Sequence, residues 1–160
     1  MESKKENMRI TTIRDVNDIL ALYPEADEER LAKIRTDVEK DIMKAEKGDR
    51  IVYGIEKDGK VVGTVQLVFR DEKEFYADEK TKAHVHHARV SEELRGKGIG
   101  ANLMEVAENE ARKRGFKEMT LGVDEDNIRA IKLYERLGYK EFMREKGDQG
   151  EPIIGMKKDL

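Results

Sequence analysis

The stretch Arg95-Gly96-Lys97-Gly98-Ile99-Gly100 places a glycine at every second position, with an apolar run before it and a helix-periodic run after it. Glycines permit a turn in which successive backbone N–H groups converge, and a following helix adds the positive end of its dipole. The chemistry this spacing allows is anion binding, with phosphate or pyrophosphate as the guest. Just upstream lie all three histidines of the chain, His84, His86 and His87. On a regular strand His84, His86, Ala88 and Val90 share one face while Val85, His87 and Arg89 share the other, so His86 and His87 point opposite ways.

Two nucleotide motifs compete for the glycine loop. Gly96, Gly98 and Ala101 fit the dinucleotide fingerprint G-x-G-x-x-G/A at a helix start. That fingerprint needs its first glycine directly after the strand, whereas Ser91 to Arg95 intervene here, and no βαβαβ array of the right scale surrounds it. The Walker loop fails because Gly98, rather than a magnesium-binding Ser or Thr, follows Lys97.

The elements that must hold this loop are read from periodicity and turn chemistry. Residues 8–13 read as a first strand, with Asp15 able to cap a short helix through Ile19, Leu20 and Leu22 that Pro24 interrupts. Leu31, Ile34, Val38 and Ile42 recur at helical spacing over residues 27–47, and Gly48 is a natural stop. Residues 51–55 and 61–69 flank Asp58-Gly59, a dipeptide that tolerates positive φ, and predict an antiparallel hairpin. Residues 70–82 are charged, without regular period, and read as a loop or strand extension. After the strand 83–90 and the glycine loop comes a helix ended by Gly115. A strand over 119–124, a helix capped by Asn127 and closed by Gly138, and strands over 139–143 and 153–156 complete the chain. Strands grouped early and then alternating with helices predict an α/β (α+β) fold, a mixed sheet covered by helices.

Arg95, Gly98 and Gly100 together resemble the pyrophosphate loop Arg/Gln-x-x-Gly-x-Gly/Ala of the GNAT superfamily of N-acetyltransferases. Asn127, Ala130, Tyr134, Gly138 and Tyr139 resemble that family's Asn-x-x-Ala-x-x-x-Tyr-x-x-x-Gly-Phe/Tyr segment at the matching distance downstream. The resemblance is carried by residues 83–142 and extends by element order over nearly the whole chain. It implies a single N-acetyltransferase domain over residues 1–160, with a mostly antiparallel sheet splayed at the fourth strand and about four flanking helices. It implies acetyl-CoA as donor, a small-molecule primary amine as acceptor (polyamine, amino sugar or aminoglycoside-like), and no metal. On this alignment Ala88, Arg89 and Val90 offer the strand edge to pantetheine, and a backbone N–H there stabilises the oxyanion. The N–H groups of Arg95, Gly96, Lys97, Gly98, Ile99 and Gly100 hold the pyrophosphate, and Asn127 and Ala130 line the cofactor side.

Tyr134 matches the family's general acid, which protonates the departing thiolate. His86 or His87 is the candidate base, with ordered water as the alternative route for the proton. Two departures matter. Gly122 stands where ribosomal-protein N-terminal acetyltransferases of this family often carry glutamate, and Glu92 stands where many members have proline. The acidic runs 25–29 and 71–79 lie in segments that border the acceptor pocket in the family, so they are placed to attract a cationic amine. Acetylation of peptide or protein N-termini or lysines, and a non-catalytic acyl-CoA-binding regulatory module, are the competing readings.

Composition bounds these alternatives. Charged residues make up 42% of the chain yet leave a formal net charge of -3, which removes the bulk basic footprint that nucleic-acid binding needs. With no cysteine, a disulfide framework, a thiolate metal site and a cysteine nucleophile are all excluded. The first six residues are polar and lead into no apolar core of signal-peptide length, and no run is long enough to span a bilayer. A cytoplasmic protein with no membrane partner is expected, and a homodimer is one open oligomeric state.

Overall fold

The computed structural model describes residues 7–160, so the reading of the polar first six residues lies outside the described residues. Strand β1 (Met8–Thr12) leads to helices α1 (Val16–Leu20) and α2 (Glu28–Glu46), then to β2 (Arg50–Lys57), β3 (Lys60–Val68) and β4 (Lys82–Val90). A single 3-10 turn at Glu92–Leu94 precedes α3 (Ile99–Lys113), followed by β5 (Glu118–Asp124), α4 (Ile128–Arg136), β6 (Lys140–Lys146) and β7 (Pro152–Asp159). The strands form one seven-stranded sheet in the order β1-β2-β3-β4-β5-β7-β6. It is mixed: β4 and β5 run parallel, while β1–β2, β5–β7 and β6–β7 are antiparallel. This is the α+β architecture expected from the sequence.

Local chemistry sets most boundaries. Asp15, Asp27 and Asn127 each cap a helix, their side-chain oxygens accepting from Asn17, Arg30 and Ala130 backbone N–H groups at 2.9, 2.8 and 3.2 Å. Asp58 and Gly59 take φ of 52° and 81°, the pair of positive values that a two-residue hairpin turn requires. Two expectations need correction. The last two strands run on to Lys146 and Asp159, because backbone pairing from Lys140↔Lys157 to Lys146↔Pro152 continues through charged residues that carry no apolar alternation. Simple alternation in β4 fails at His87, whose φ of 50° leaves the extended region.

The chain divides into two compact units, one comprising the chain up to Gln66 with His87–Met104, the other Leu67–His86 with Glu105–Leu160. In the first, Ile13, Ile19, Leu22, Val38, Ile42, Val52 and Val61 form one buried cluster. A helix as short as α1 is marginal alone, so its stability comes from burying Ile19 within that cluster. On α2 the inward positions Val38, Ile42 and Ala45 share a stripe with Asp41, which is therefore carried into the core at 8% exposure. Its charge is met by Arg50, 6% exposed. Arg50 Nη1 donates to Asp41 Oδ1 at 3.1 Å and to Gln66 Oε1 at 3.0 Å, while Gln66 Nε2 donates to Asp41 Oδ2 at 2.9 Å. The three side chains close a triangle.

In the second unit Met119, Leu121 and Val123 of β5 are buried, and Phe69 stacks on Phe116 at 5.7 Å with the Arg114 guanidinium 4.2 Å from the Phe69 ring centroid. The β4–β5 ladder covers only Lys82–Val85 against Glu118–Leu121, although β4 runs to Val90 and β5 to Asp124. That early end of the ladder is the anticipated splay at the fourth strand.

Asp41→Ala leaves the Arg50 guanidinium buried without its counter-ion. Removing one partner of a buried ion pair costs about 3–5 kcal/mol, so the urea midpoint should fall strongly, and a loss within the range of surface substitutions would show that the triangle does not bear the charge.

Candidate functional site

In the first unit the glycine loop has the conformation its composition allows. Gly96 and Gly98 take φ of 78° and 84°, and a Cβ added at Gly98 would meet nothing within 4 Å, so the loop is open on that side. Gly98 O accepts from Asn102 N at 3.0 Å, which starts α3 at Ile99 and leaves the amides of Ile99, Gly100 and Ala101 outside the intrahelical ladder. Arg95 Nε donates to Val90 O at 3.1 Å, tying the loop to the end of β4. Arg95, Gly96, Lys97 and Gly98 line the outer side of the turn, while Ile99 is buried and anchors it. Backbone donors on an open glycine turn, with Arg95 and Lys97 beside them, fit a pyrophosphate.

Ala88, Arg89 and Val90 close β4, and Ser91 N donates to Val62 O at 2.8 Å. The Arg89 side chain is engaged locally. Its Nε donates to Leu22 O at 2.8 Å, its guanidinium lies 3.8 Å from the Tyr23 ring centroid, and it pairs with Glu25. This clamps the α1–α2 connection onto β4 and spends part of the acidic run 25–29 on internal pairing.

His87 projects from its positive-φ position with its side chain 47% exposed and Nε2 3.9 Å from Asp41 Oδ2. Desolvation pushes its pKa below the ordinary 6.5, partly opposed by Asp41 and Asp37 on α2 and reinforced by Arg50. The imidazole is therefore neutral at pH 7, with the buried carboxylate of the triangle behind it.

The second unit holds His86, Asn127, Ala130 and Tyr134. Thr120 Oγ1 donates to Tyr76 O at 2.6 Å, so it receives the Nδ1–H of buried His84 at 3.0 Å, which occupies that histidine structurally. The His86 ring lies 5.6 Å from His84. Asn127 commits its side chain to the N-cap of α4, and Ala130 supplies the capped amide. Tyr134 is half-buried, with its ring edge-on to Tyr139 at 6.1 Å. Tyr139 in turn donates to buried Glu108 at 3.1 Å, and Lys158 Nζ donates to the same carboxylate oxygen at 2.8 Å. Burial raises the Tyr134 pKa above 10.0, so the phenol keeps its proton.

Sequence reading missed Asp41, Gln66, Tyr76 and Glu145. Asp41 had a signal, a carboxylate on the apolar stripe of α2. Tyr76 was hidden in an irregular acidic stretch, although it is 6% exposed and its hydroxyl would lie 3.2 Å from a Cβ at Gly122. The missing side chain at Gly122 is thus matched by a phenol reaching in from another segment. Asp78, in the same acidic run, is spent on local structure: against the upward push of burial, the Thr81 hydroxyl donating to Oδ2 at 2.6 Å and the N–H groups of Lys82, Thr81 and Lys80 donating to Oδ1 hold its carboxyl well below the usual range. Among the described residues no cluster of three or more His, Asp or Glu could hold a metal, and no helix is long and apolar enough to cross a membrane.

Comparison with known proteins gives a match of residues 13–139 to the acetyltransferase (GNAT) family model. An uncharacterised N-acetyltransferase of Methanocaldococcus jannaschii is 38% identical over 64 residues, 40% of this chain and 28% of that protein. Human N-acetyltransferase 8B is 31% identical over 86 residues, 54% of this chain and 37% of that protein. The matched segments thus span well under half the length of these two relatives. Among solved structures, the PaiA N-acetyltransferase of Thermoplasma acidophilum, crystallised with coenzyme A, superposes with a TM-score of 0.72 at 20% identity, covering 96% of this chain and 99% of that one. An aminoglycoside 6'-N-acetyltransferase, also complexed with coenzyme A, superposes with a TM-score of 0.68 at 17% identity, covering 94% and 96%. At these identities the structures establish a shared fold.

Proposed function

The chain belongs to the acetyltransferase (GNAT) family, and on that premise we propose that residues 1–160 form one domain that transfers an acetyl group from acetyl-CoA to a primary amine of a small molecule. The observation that carries this is the open glycine turn at the start of α3, in a chain that also sets a protonated Tyr134 at the family's spacing on α4. Polyamines, amino sugars and aminoglycoside-like compounds are the acceptor classes.

Acetyl-CoA supplies an activated thioester. The loop amides from Arg95 to Gly100 bind the pyrophosphate, and the backbone edge at Ala88, Arg89 and Val90 pairs with pantetheine and polarises the thioester carbonyl. His87 accepts the proton that the acceptor ammonium must lose before its nitrogen attacks, and Asp41 stabilises the imidazolium so formed. As the C–S bond breaks, Tyr134 gives a proton to the sulfur. His86, packed against His84, is less suited to the base's role than His87. Gly122 lacks the carboxylate expected of an enzyme acting on ribosomal-protein N-termini, which favours a small acceptor over a peptide.

Thiol release from acetyl-CoA across an amine panel tests the reading, and no turnover with any acceptor would overturn it. In that assay Tyr134→Phe should lower kcat by roughly 100-fold, the scale of a general acid, with coenzyme A affinity nearly intact by calorimetry. An unchanged kcat would remove the acid assignment.

The ratio of wild-type to His87→Gln kcat/KM cancels the acceptor's own ionisation. Because desolvation depresses the His87 pKa, the base is lost only as pH falls through a value below 6.5. The ratio should be flat above that point and drop toward one beneath it. A flat ratio throughout would assign the proton to water.

A further inference from the structure

Asp41 uses both of its carboxylate oxygens. Oδ1 receives Arg50 Nη1 at 3.1 Å and Oδ2 receives Gln66 Nε2 at 2.9 Å, so two donors on two atoms fix the plane of the group. It is Oδ2, the oxygen held by Gln66, that faces His87, and the 3.9 Å from there to Nε2 is longer than a hydrogen bond. Gln66 is 1% exposed and its amide has one workable orientation. Oε1 accepts from Arg50 Nη1 at 3.0 Å, whereas a flipped amide would set that oxygen against Oδ2 and the NH2 against the guanidinium. Gln66 is therefore a fixed donor to the oxygen nearest the imidazole. All four residues belong to the first compact unit.

This arrangement decides how the carboxylate acts on His87. The charged groups facing the imidazole are Asp41 and Asp37 from α2 and Arg50 from β2. Desolvation lowers the His87 pKa most, the two carboxylates oppose it through charge alone, and Arg50 adds to it. Imidazolium carries an N–H on each ring nitrogen, so the one at Nε2 would gain a hydrogen bond if Oδ2 swung about 1 Å closer. The His87 side chain is 47% exposed, which leaves the ring room to meet it. A base hydrogen-bonded in that way to a buried carboxylate would keep its proton near neutral pH and could take no other. With a donor on each oxygen, the carboxylate does not swing.

We propose that Gln66 is a positioning residue for acetyl transfer, holding the Asp41 carboxylate where its charge reaches His87 but no hydrogen bond forms between them. The proposal rests on the acetyl-transfer reading with His87 as the base. Without the Gln66 amide, Oδ2 is a buried acceptor stripped of its donor, an unfavourable state until another donor arrives. The donor within reach is imidazolium, so loss of Gln66 draws a proton onto His87. The base is then occupied at the pH where it should be empty.

The test is an NMR pH titration of the full chain, as wild type and as Gln66→Met, a substitution that fills the space and removes both hydrogen bonds. The ring signals of His84, His86 and His87 are followed together. In Gln66→Met the His87 midpoint should rise by the equivalent of about a 10- to 100-fold gain in proton affinity, the range for one hydrogen bond to a charged group. His84 and His86 should keep their wild-type behaviour. An unchanged or lower His87 midpoint, or the same displacement at all three histidines, overturns the proposal and leaves Gln66 a packing residue. The wild type supplies a second measurement that needs no variant to fold. Its Gln66 side-chain NH2 signal should shift with the same midpoint as His87, and a signal that does not respond overturns the proposal equally. Thiol release from acetyl-CoA reports separately on the reading beneath it. The kcat/KM of Gln66→Met relative to wild type should hold a plateau at high pH and fall as pH drops through the raised His87 midpoint. A raised midpoint with no such fall supports the hold of Gln66 on His87 and overturns His87 as the base.

Discussion

A guanidinium that is 6% exposed must be matched by charge and by hydrogen bonds, and in this protein the match ties together one helix and two strands. Arg50 opens β2, Asp41 comes from the inward stripe of α2, and Gln66 comes from β3, so the triangle pins the helix to the sheet in one register. Apolar packing of Val38 and Ile42 would tolerate a helix rotated or slid by a fraction of a turn. The triangle does not, because displacement strands a buried charge. Fixing α2 also fixes the carboxylate that lies behind His87.

Desolvation does opposite things to the pKa values of His87 and Tyr134, through one physical cause. Low polarity disfavours whichever form is charged, so it lowers the pKa of His87 and raises that of Tyr134. The imidazole is left neutral and the phenol protonated. Both states follow from desolvation, with Asp41 and Asp37 partly opposing it at His87. Tyr139 contributes its own ring to the Tyr134 environment while its hydroxyl is committed to Glu108.

Glycines serve two distinct purposes here. At Gly96 and Gly98 the requirement is conformational, since both take a positive φ that residues with a Cβ rarely adopt. At Gly122 the requirement is space, because a side chain would press on the Tyr76 hydroxyl. A conformational requirement leaves a motif in the sequence. A requirement for space leaves only a missing side chain, whose meaning depends on the phenol that folding brings opposite it.

What the sequence by itself determined are features decided within a few residues of the chain: the caps Asp15 and Asn127, the Asp58-Gly59 turn, the glycine loop, and the spacing from Asn127 to Tyr139. Each depends on a local dihedral or a hydrogen bond to a near neighbour, which residue type and spacing encode directly. With them came the element order and the family. Only the tertiary structure decided the groups whose partners are remote. Asp41 finds Gln66 and His87, Tyr76 finds Gly122 and Glu145, and His87 leaves its strand's alternation. The last two strands also outran their apolar pattern, since ladder pairing with a neighbouring strand, rather than side-chain character, carried them on. Composition could say that charges are abundant and nearly balanced. Which few of them are buried, and against what, depends on contacts between segments far apart in the chain, and those contacts exist only once the chain has folded.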